Sequence, residues 1–205
     1  MSAYLTIDGK SRSEYEIKRS LFIATAKGIT DYADGAAFVK NVSKKYSDAT
    51  HNCYAILCQS GEQKFFDDGE PSGTAGMPIL QAIKNNSLTD VAVVVTRYFG
   101  GVKLGAGGLV SAYTKATVNA LNDAKIVKRT ESGVYLITLS YSEIDRATHL
   151  VENSSGRVLQ IGYGEQVFMK AAVPMEKAKT FIDDANELFS GKCSPLLIET
   201  GYQTY

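Results

Sequence analysis

The chain has 205 residues, 44% of them hydrophobic and 21% charged, with 22 Lys+Arg set against 22 Asp+Glu. That composition excludes a disordered chain and a dedicated, strongly basic nucleic-acid-binding domain. No run approaches the ~20 consecutive apolar residues of a membrane span, and the opening MSAYLTIDGKSRSEYEIKRS lacks the apolar stretch of a secretory signal, so a cytoplasmic protein without a membrane partner is expected.

In chain order, Glu14–Ile17 and Leu21–Lys27 read as strands, and residues 31–46 as a helix whose Phe38, Val42 and Tyr46 share one face. Residues 52–59 (NCYAILCQ) form the next strand, followed by a turn at Ser60-Gly61-Glu62 and a short strand around Phe65. The polar loop DDGEPSG leads into a helix over about residues 74–84. Residues 91–96 (VAVVVT) show no polar alternation and should form a central strand covered on both faces. After FGGVKLGAGG, the stripe Leu109, Ala112, Tyr113, Ala116, Ala120 predicts a helix over 109–124. Glu131-Ser132-Gly133 reads as a linker. Beyond it the order is strand 134–141, helix 143–154, strands 157–163 and 166–173, helix 176–190 and strand 195–204, with Ser142 and Asp145 resembling a capping box. That βαββαβ order is the ferredoxin-like arrangement. Two domains follow, 1–130 and 131–205, in an α+β chain.

Charge is unevenly divided between them. Residues 1–130 carry 16 Lys+Arg and 12 Asp+Glu (+4), and residues 131–205 carry 6 and 10 (−4), which directs the search for an anion-binding surface to the first part. Cys53 and Cys58 lie five positions apart, hence on opposite faces of a strand, and with Cys193 they are expected to be reduced, buried thiols.

Half of the 18 glycines fall between Gly61 and Gly108, in two groups. The first is the acidic loop Asp67, Asp68, Glu70, Ser72, Gly73, Thr74. Ser72 and Thr74 are good helix-capping types, free amides at a helix start suit an anion, and three carboxylates suit Mg²⁺ or a basic partner. The second group is TRYFGGVKLGAGGL, residues 96–109. A buried strand would deliver Arg97 and Tyr98 to its carboxyl end, Arg97 and Lys103 could pair with phosphate, Tyr98 could stack on a base, and Gly105, Gly107 and Gly108 would let backbone approach a ligand. Neither a Walker A motif nor a dinucleotide fingerprint is present. His51 and Asp68 are the weak candidates for acid–base chemistry, and His149 is a surface or packing residue. No metal-ligand motif appears, so no cofactor is expected apart from Mg²⁺ at the acidic loop.

HNCYA (residues 51–55), DDGEPSGTAGMPIL (67–80) and VVVTRYFGGVKLGAGGLVSAY (93–113), with KRSLFIA (18–24), together resemble the signature of the IMPACT family in its bacterial YigZ-like branch. Ser111 departs from the pattern, where Arg or Lys is usual. The resemblance implies a first domain of the ribosomal protein S5 domain 2-like fold and a ferredoxin-like second domain, a pairing similar to the last two domains of elongation factor G. It points toward RNA or the ribosome. The eukaryotic members' role in a starvation-kinase pathway depends on an additional amino-terminal domain and is not expected here, where the family motifs begin at Lys18.

Three functions are compatible with these residues. The leading expectation is a monomeric, non-enzymatic RNA- or ribosome-associated regulator of translation. The others are a phosphate-ligand enzyme (a nucleotide-dependent phosphotransferase or phosphoester hydrolase) and a protein-interaction module whose acidic loop meets a basic partner.

Overall fold

The unbroken apolar run beginning at Val91 becomes the middle of a sheet, as its lack of alternation requires. The computed structural model describes residues 3–204. Its elements are β1 (Ala3–Asp8), β2 (Lys10–Ile17), β3 (Ser20–Gly28), α1 (Tyr32–Lys45), β4 (His51–Leu57), β5 (Gln63–Phe66), α2 (Gly76–Asn85), β6 (Val91–Tyr98) and α3 (Gly105–Asn122). There follow β7 (Lys125–Leu139), α4 (Ile144–Asn153), β8 (Arg157–Tyr163), β9 (Val167–Pro174), α5 (Ala178–Leu188) and β10 (Leu196–Thr204). The chain is mixed α/β, with two antiparallel sheets and five α-helices among the described residues, as expected.

The chain divides into two units, with residues 5–127 in one and the rest in the other. The sheet of the first runs β2-β3-β6-β4-β5. Alternate residues of β6 feed two cores. Val91, Val93 and Val95 pack with Leu80, Ile83, Leu109 and Tyr113 beneath α2 and α3. Ala92 and Val94 pack with Phe38, Val39 and Val42 of α1. Cys53 belongs to the first core and Cys58 to the second, on opposite faces as the spacing requires, and all three cysteines are buried free thiols.

In the second unit the strands run β10-β7-β9-β8, each adjacent pair antiparallel. Counted from β7, that is the order 4-1-3-2 of a ferredoxin-like βαββαβ unit. Helices α4 and α5 cover one face through Leu150, Val151, Phe181 and Ala185.

The structure corrects several details. Residues 131–133 form no linker: they lie inside the 15-residue strand β7, where Ser132 stands opposite both Gly201 and Pro174. Gly133 fits closely there: a Cβ would come within 2.7 Å of the Tyr135 ring and 2.9 Å of Leu197, so a larger residue would force one of those side chains to move. The capping box sits two residues earlier than Ser142, at Ser140 and Glu143, because a short 3₁₀ turn precedes α4. Strand β1 was not anticipated; it joins the second sheet beside β7. Helix α3 starts four residues earlier than its apolar stripe suggested, so Gly105, Gly107 and Gly108 belong to its first turn and not to a loop. Among the described residues, no helix is long and apolar enough to cross a membrane.

Candidate functional site: a cleft at the amino end of helix α3

Antiparallel pairing sets Phe22, Arg97 and His51 in one row across β3, β6 and β4. All three side chains face the α2/α3 side of the sheet, and the row ends at a cleft of about 400 Å³. Its walls include Thr50, His51, Glu70, Arg97, Phe99 and Lys103, with Leu104, Gly105 and Ala106 at the amino end of α3.

The acidic loop folds over this row, and its carboxylates all turn inward. Asp67 accepts from the amides of Gly73 (2.8 Å), Ala75 (3.1 Å) and Gly76 (2.8 Å). It therefore satisfies the start of α2, a task the sequence suggested for Ser72 or Thr74. Burial opposes ionisation of Asp67, but the three amides outweigh it and hold the carboxyl below its ordinary value. Ser72 is exposed, and the buried Thr74 donates its hydroxyl to the Pro71 carbonyl at 2.7 Å. Asp68 accepts from the Asn52 amide at 2.7 Å.

Glu70 is 8% exposed and receives two donors at 2.7 Å on the same oxygen, Arg97 Nη1 and the Tyr113 hydroxyl. The Arg97 guanidinium lies 5.3 Å from the ring centroids of both Phe22 and Phe99, a cation–π arrangement. Cys53 donates its thiol to the Asp67 carbonyl at 2.9 Å, and its sulfur is 3.3 Å from the Tyr113 hydroxyl. Burial, reinforced by neighbouring carboxylates, pushes the Cys53 thiol up to about 12, and burial with Cys53 and Glu70 raises the Tyr113 phenol. Burial thus favours the neutral form of both groups, which are tied to Glu70 and Asp67 by hydrogen bonds.

His51 is oriented differently. Its Nδ1 lies 2.7 Å from the Asp68 carbonyl oxygen, which can only accept, so Nδ1 carries the proton. Nε2 stands 4.0 Å from Glu70 Oε1 on the cleft wall.

The other sequence candidates separate into inner and outer positions. Arg97, 5% exposed, is engaged by Glu70 rather than presented to solvent. Tyr98 projects from the opposite face of β6 and donates to Asp48 at 3.1 Å, leaving Phe99, 45% exposed, as the aromatic ring at the cleft. Lys103 remains at the rim, where Gly105 also lines the cleft, while Gly107 and Gly108 follow in the first turn of α3. Gly105 adopts φ +73, which turns the chain into α3. That 18-residue helix has no acidic residue in its first turn and, among the described residues, no side-chain cap. No three His, Cys, Asp or Glu side chains converge as a metal site among the described residues.

Sequence reasoning missed Tyr113, Cys53 and Phe99 as parts of the site. Cys53 was legible in principle, since it is two residues from His51 and so shares its face of β4. Tyr113 was read only as a member of the apolar stripe.

Two antiparallel sheets, the first with a glycine-rich helix start at its cleft, define a two-domain α/β protein of a recognisable class. Residues 18–121 match the Impact N-terminal domain and residues 137–192 match a domain of unknown function, DUF1949. The chain belongs to the IMPACT family. It is 34% identical to IMPACT family member YvyE of Bacillus subtilis, over 100% of this chain and 94% of that protein. It is 33% identical to IMPACT family member YigZ of Escherichia coli, over 90% and 92%. A crystal structure of a hypothetical protein, 30% identical, matches 97% of this chain and 98% of that one with a TM-score of 0.66.

Proposed function

We propose that this protein binds structured RNA, with the ribosome as the particle it engages, and so modulates translation. The observation that carries this reading is the rim of the cleft, where Lys103 and the amides of an uncapped 18-residue helix are left to an external anion. The carboxylates beside them are all drawn onto the chain's own donors. On this reading a phosphate sits against Lys103 and the first turn of α3, an unpaired base stacks on Phe99, and Arg97 holds that ring in place from behind. The protein then works in the cytoplasm, as a monomer, without a cofactor.

The test is co-sedimentation with ribosomes, and binding to structured RNA, across a salt series. Lys103→Glu should weaken both and lower the salt slope by about one. Equal binding and slope in the variant would remove the cleft from the account.

One observation favours a second reading, phosphate-ester hydrolysis: the Nδ1 contact to Asp68 orients His51 with Nε2 on the cleft wall, 4.0 Å from Glu70, where it could exchange a proton with a bound ester. Turnover of a phosphodiester that His51→Ala abolishes would promote it, and the absence of turnover in wild type would dismiss it.

A further inference from the structure

The opposite face of the first unit's sheet holds a second concavity that the cleft does not involve. Thr25 and Lys27 of β3 stand opposite Val94 and Ala92 of β6, so they face α1. On edge strand β2, Arg12 lies directly opposite Thr25, and Lys10 directly opposite Lys27. With Asp34 and Lys45 of α1 these residues line a groove of about 290 Å³.

Its charge is unbalanced in a specific way. Four cations (Lys10, Arg12, Lys27, Lys45) and one carboxylate (Asp34) line it, a net +3 on a chain whose total is zero. Two lysines directly opposite on an antiparallel pair repel each other. Asp34 forms its ion pair with one of them: it takes the Lys27 ammonium, and that contact, with a weaker contribution from the Lys10 charge, holds its carboxyl below the ordinary value. Arg12 is matched by Glu14, outside the groove, and donates from Nε to the Tyr46 hydroxyl at 3.3 Å. Lys10 lies 6.0 Å from the Phe38 centroid and Lys45 5.1 Å from that of Tyr46. Among the described residues, neither has a carboxylate at ion-pair distance. A second observation points the same way. The Thr25 hydroxyl, beside the groove, is shielded from solvent and has no hydrogen-bond partner among the described residues, as is also true of the Ser13 hydroxyl outside it, so a small shift at Thr25 would add a donor to the groove.

We propose that this groove is a phosphate site that seats the sugar–phosphate backbone of an RNA strand. A phosphodiester offers several acceptor oxygens around one delocalised charge, which suits cations arriving from β2, β3 and α1 together with a spare hydroxyl. The groove lies on the other side of the sheet from Arg97 and His51, so the two sites contribute independently.

The experiment is fluorescence anisotropy of a labelled RNA with the full chain across a salt series, using wild type, Lys10→Glu/Lys45→Glu, Thr25→Val and the cleft variant Lys103→Glu. The double variant should lower the salt slope by about two and the affinity on the order of tenfold. Thr25→Val should weaken binding several-fold while the melting temperature stays level or rises, because a merely structural hydroxyl would lose stability on removal. An unchanged slope in a folded double variant overturns the proposal. So does displacement of RNA by inorganic phosphate at equal phosphate concentration, which would mark a small-anion site, or displacement by poly-glutamate as effective as by RNA, which would mark an acidic-peptide site. A groove variant that fails while Lys103→Glu binds normally would uphold this groove and discard the cleft reading. The reverse result would discard the groove alone.

Discussion

The inner and outer halves of the cleft are built from the same stretches of sequence but behave oppositely. Inside, Glu70, Arg97, Tyr113 and Cys53 are buried and hydrogen-bonded to one another, with Arg97 Nε left without a partner among the described residues. Outside, Lys103, Phe99 and the first turn of α3 face solvent, with no acidic residue in that turn to neutralise the helix's positive end. Charge density in a sequence therefore does not reveal which charges hold the fold together and which remain for a ligand. Here the acidic loop and Arg97 form the scaffold, and a much smaller set of groups is left at the surface.

The two halves should therefore respond differently to substitution. The largest effect belongs to Arg97→Ala, which takes from the buried Glu70 carboxylate its arginine counter-charge, leaves the Tyr113 hydroxyl as its close donor, and should cost about 3–5 kcal/mol by denaturant unfolding. Pairing it with Glu70→Leu should recover part of that loss, which a ligand-binding role for Arg97 would not produce. Next comes Asp67→Asn, expected to cost about 1–3 kcal/mol because it weakens charge-assisted bonds to three amides at the start of α2. The Asp67 carboxyl is held below its ordinary value in the folded chain, so its contribution is fully present above the unfolded-state value of about 4. It is lost as pH falls through the lower folded value, and the Asn variant should lose less stability than wild type over that acid window in a pH series of melts.

Tyr113→Phe should be milder, at about 1–2 kcal/mol, since Glu70 keeps its Arg97 donor. At the small end, Lys103→Glu should change stability by no more than about 0.5 kcal/mol while reducing RNA binding. A large destabilisation by Lys103→Glu, or a negligible one by Arg97→Ala, would break the distinction between the halves.

Most of the fold was legible because its signals are local. The β6 run, the α3 stripe and the βαββαβ order of the second unit each follow from side-chain periodicity within one segment. Strand β1 and the continuity of β7 through residues 131–133 were not, because both depend on pairing with distant strands. The site divides in the same way. The glycines and charges that gather at the cleft were visible in the chain, yet their partners were not. Nothing local joins Glu70 to Arg97 and Tyr113, residues 27 and 43 positions away, and only the register of β4 against β6 places His51 beside Arg97. The shift from Tyr98 to Phe99 as the aromatic ring at the cleft follows from alternation along β6 once the face of Arg97 is known.

Gly107→Glu tests the central claim most directly. Gly107 lies in the first turn of α3, and a Cβ there would meet nothing within 4 Å. A carboxylate at this position should stabilise the helix, by about 0.5–1 kcal/mol from replacing glycine and a few tenths more from the dipole, while repelling an incoming phosphate. The measurement is ribosome co-sedimentation in a salt series with the melting temperature recorded alongside. The account predicts a variant that melts at or above the wild-type temperature and loses salt-sensitive binding. A stable variant that binds with the wild-type slope would contradict it and take the phosphate away from this helix.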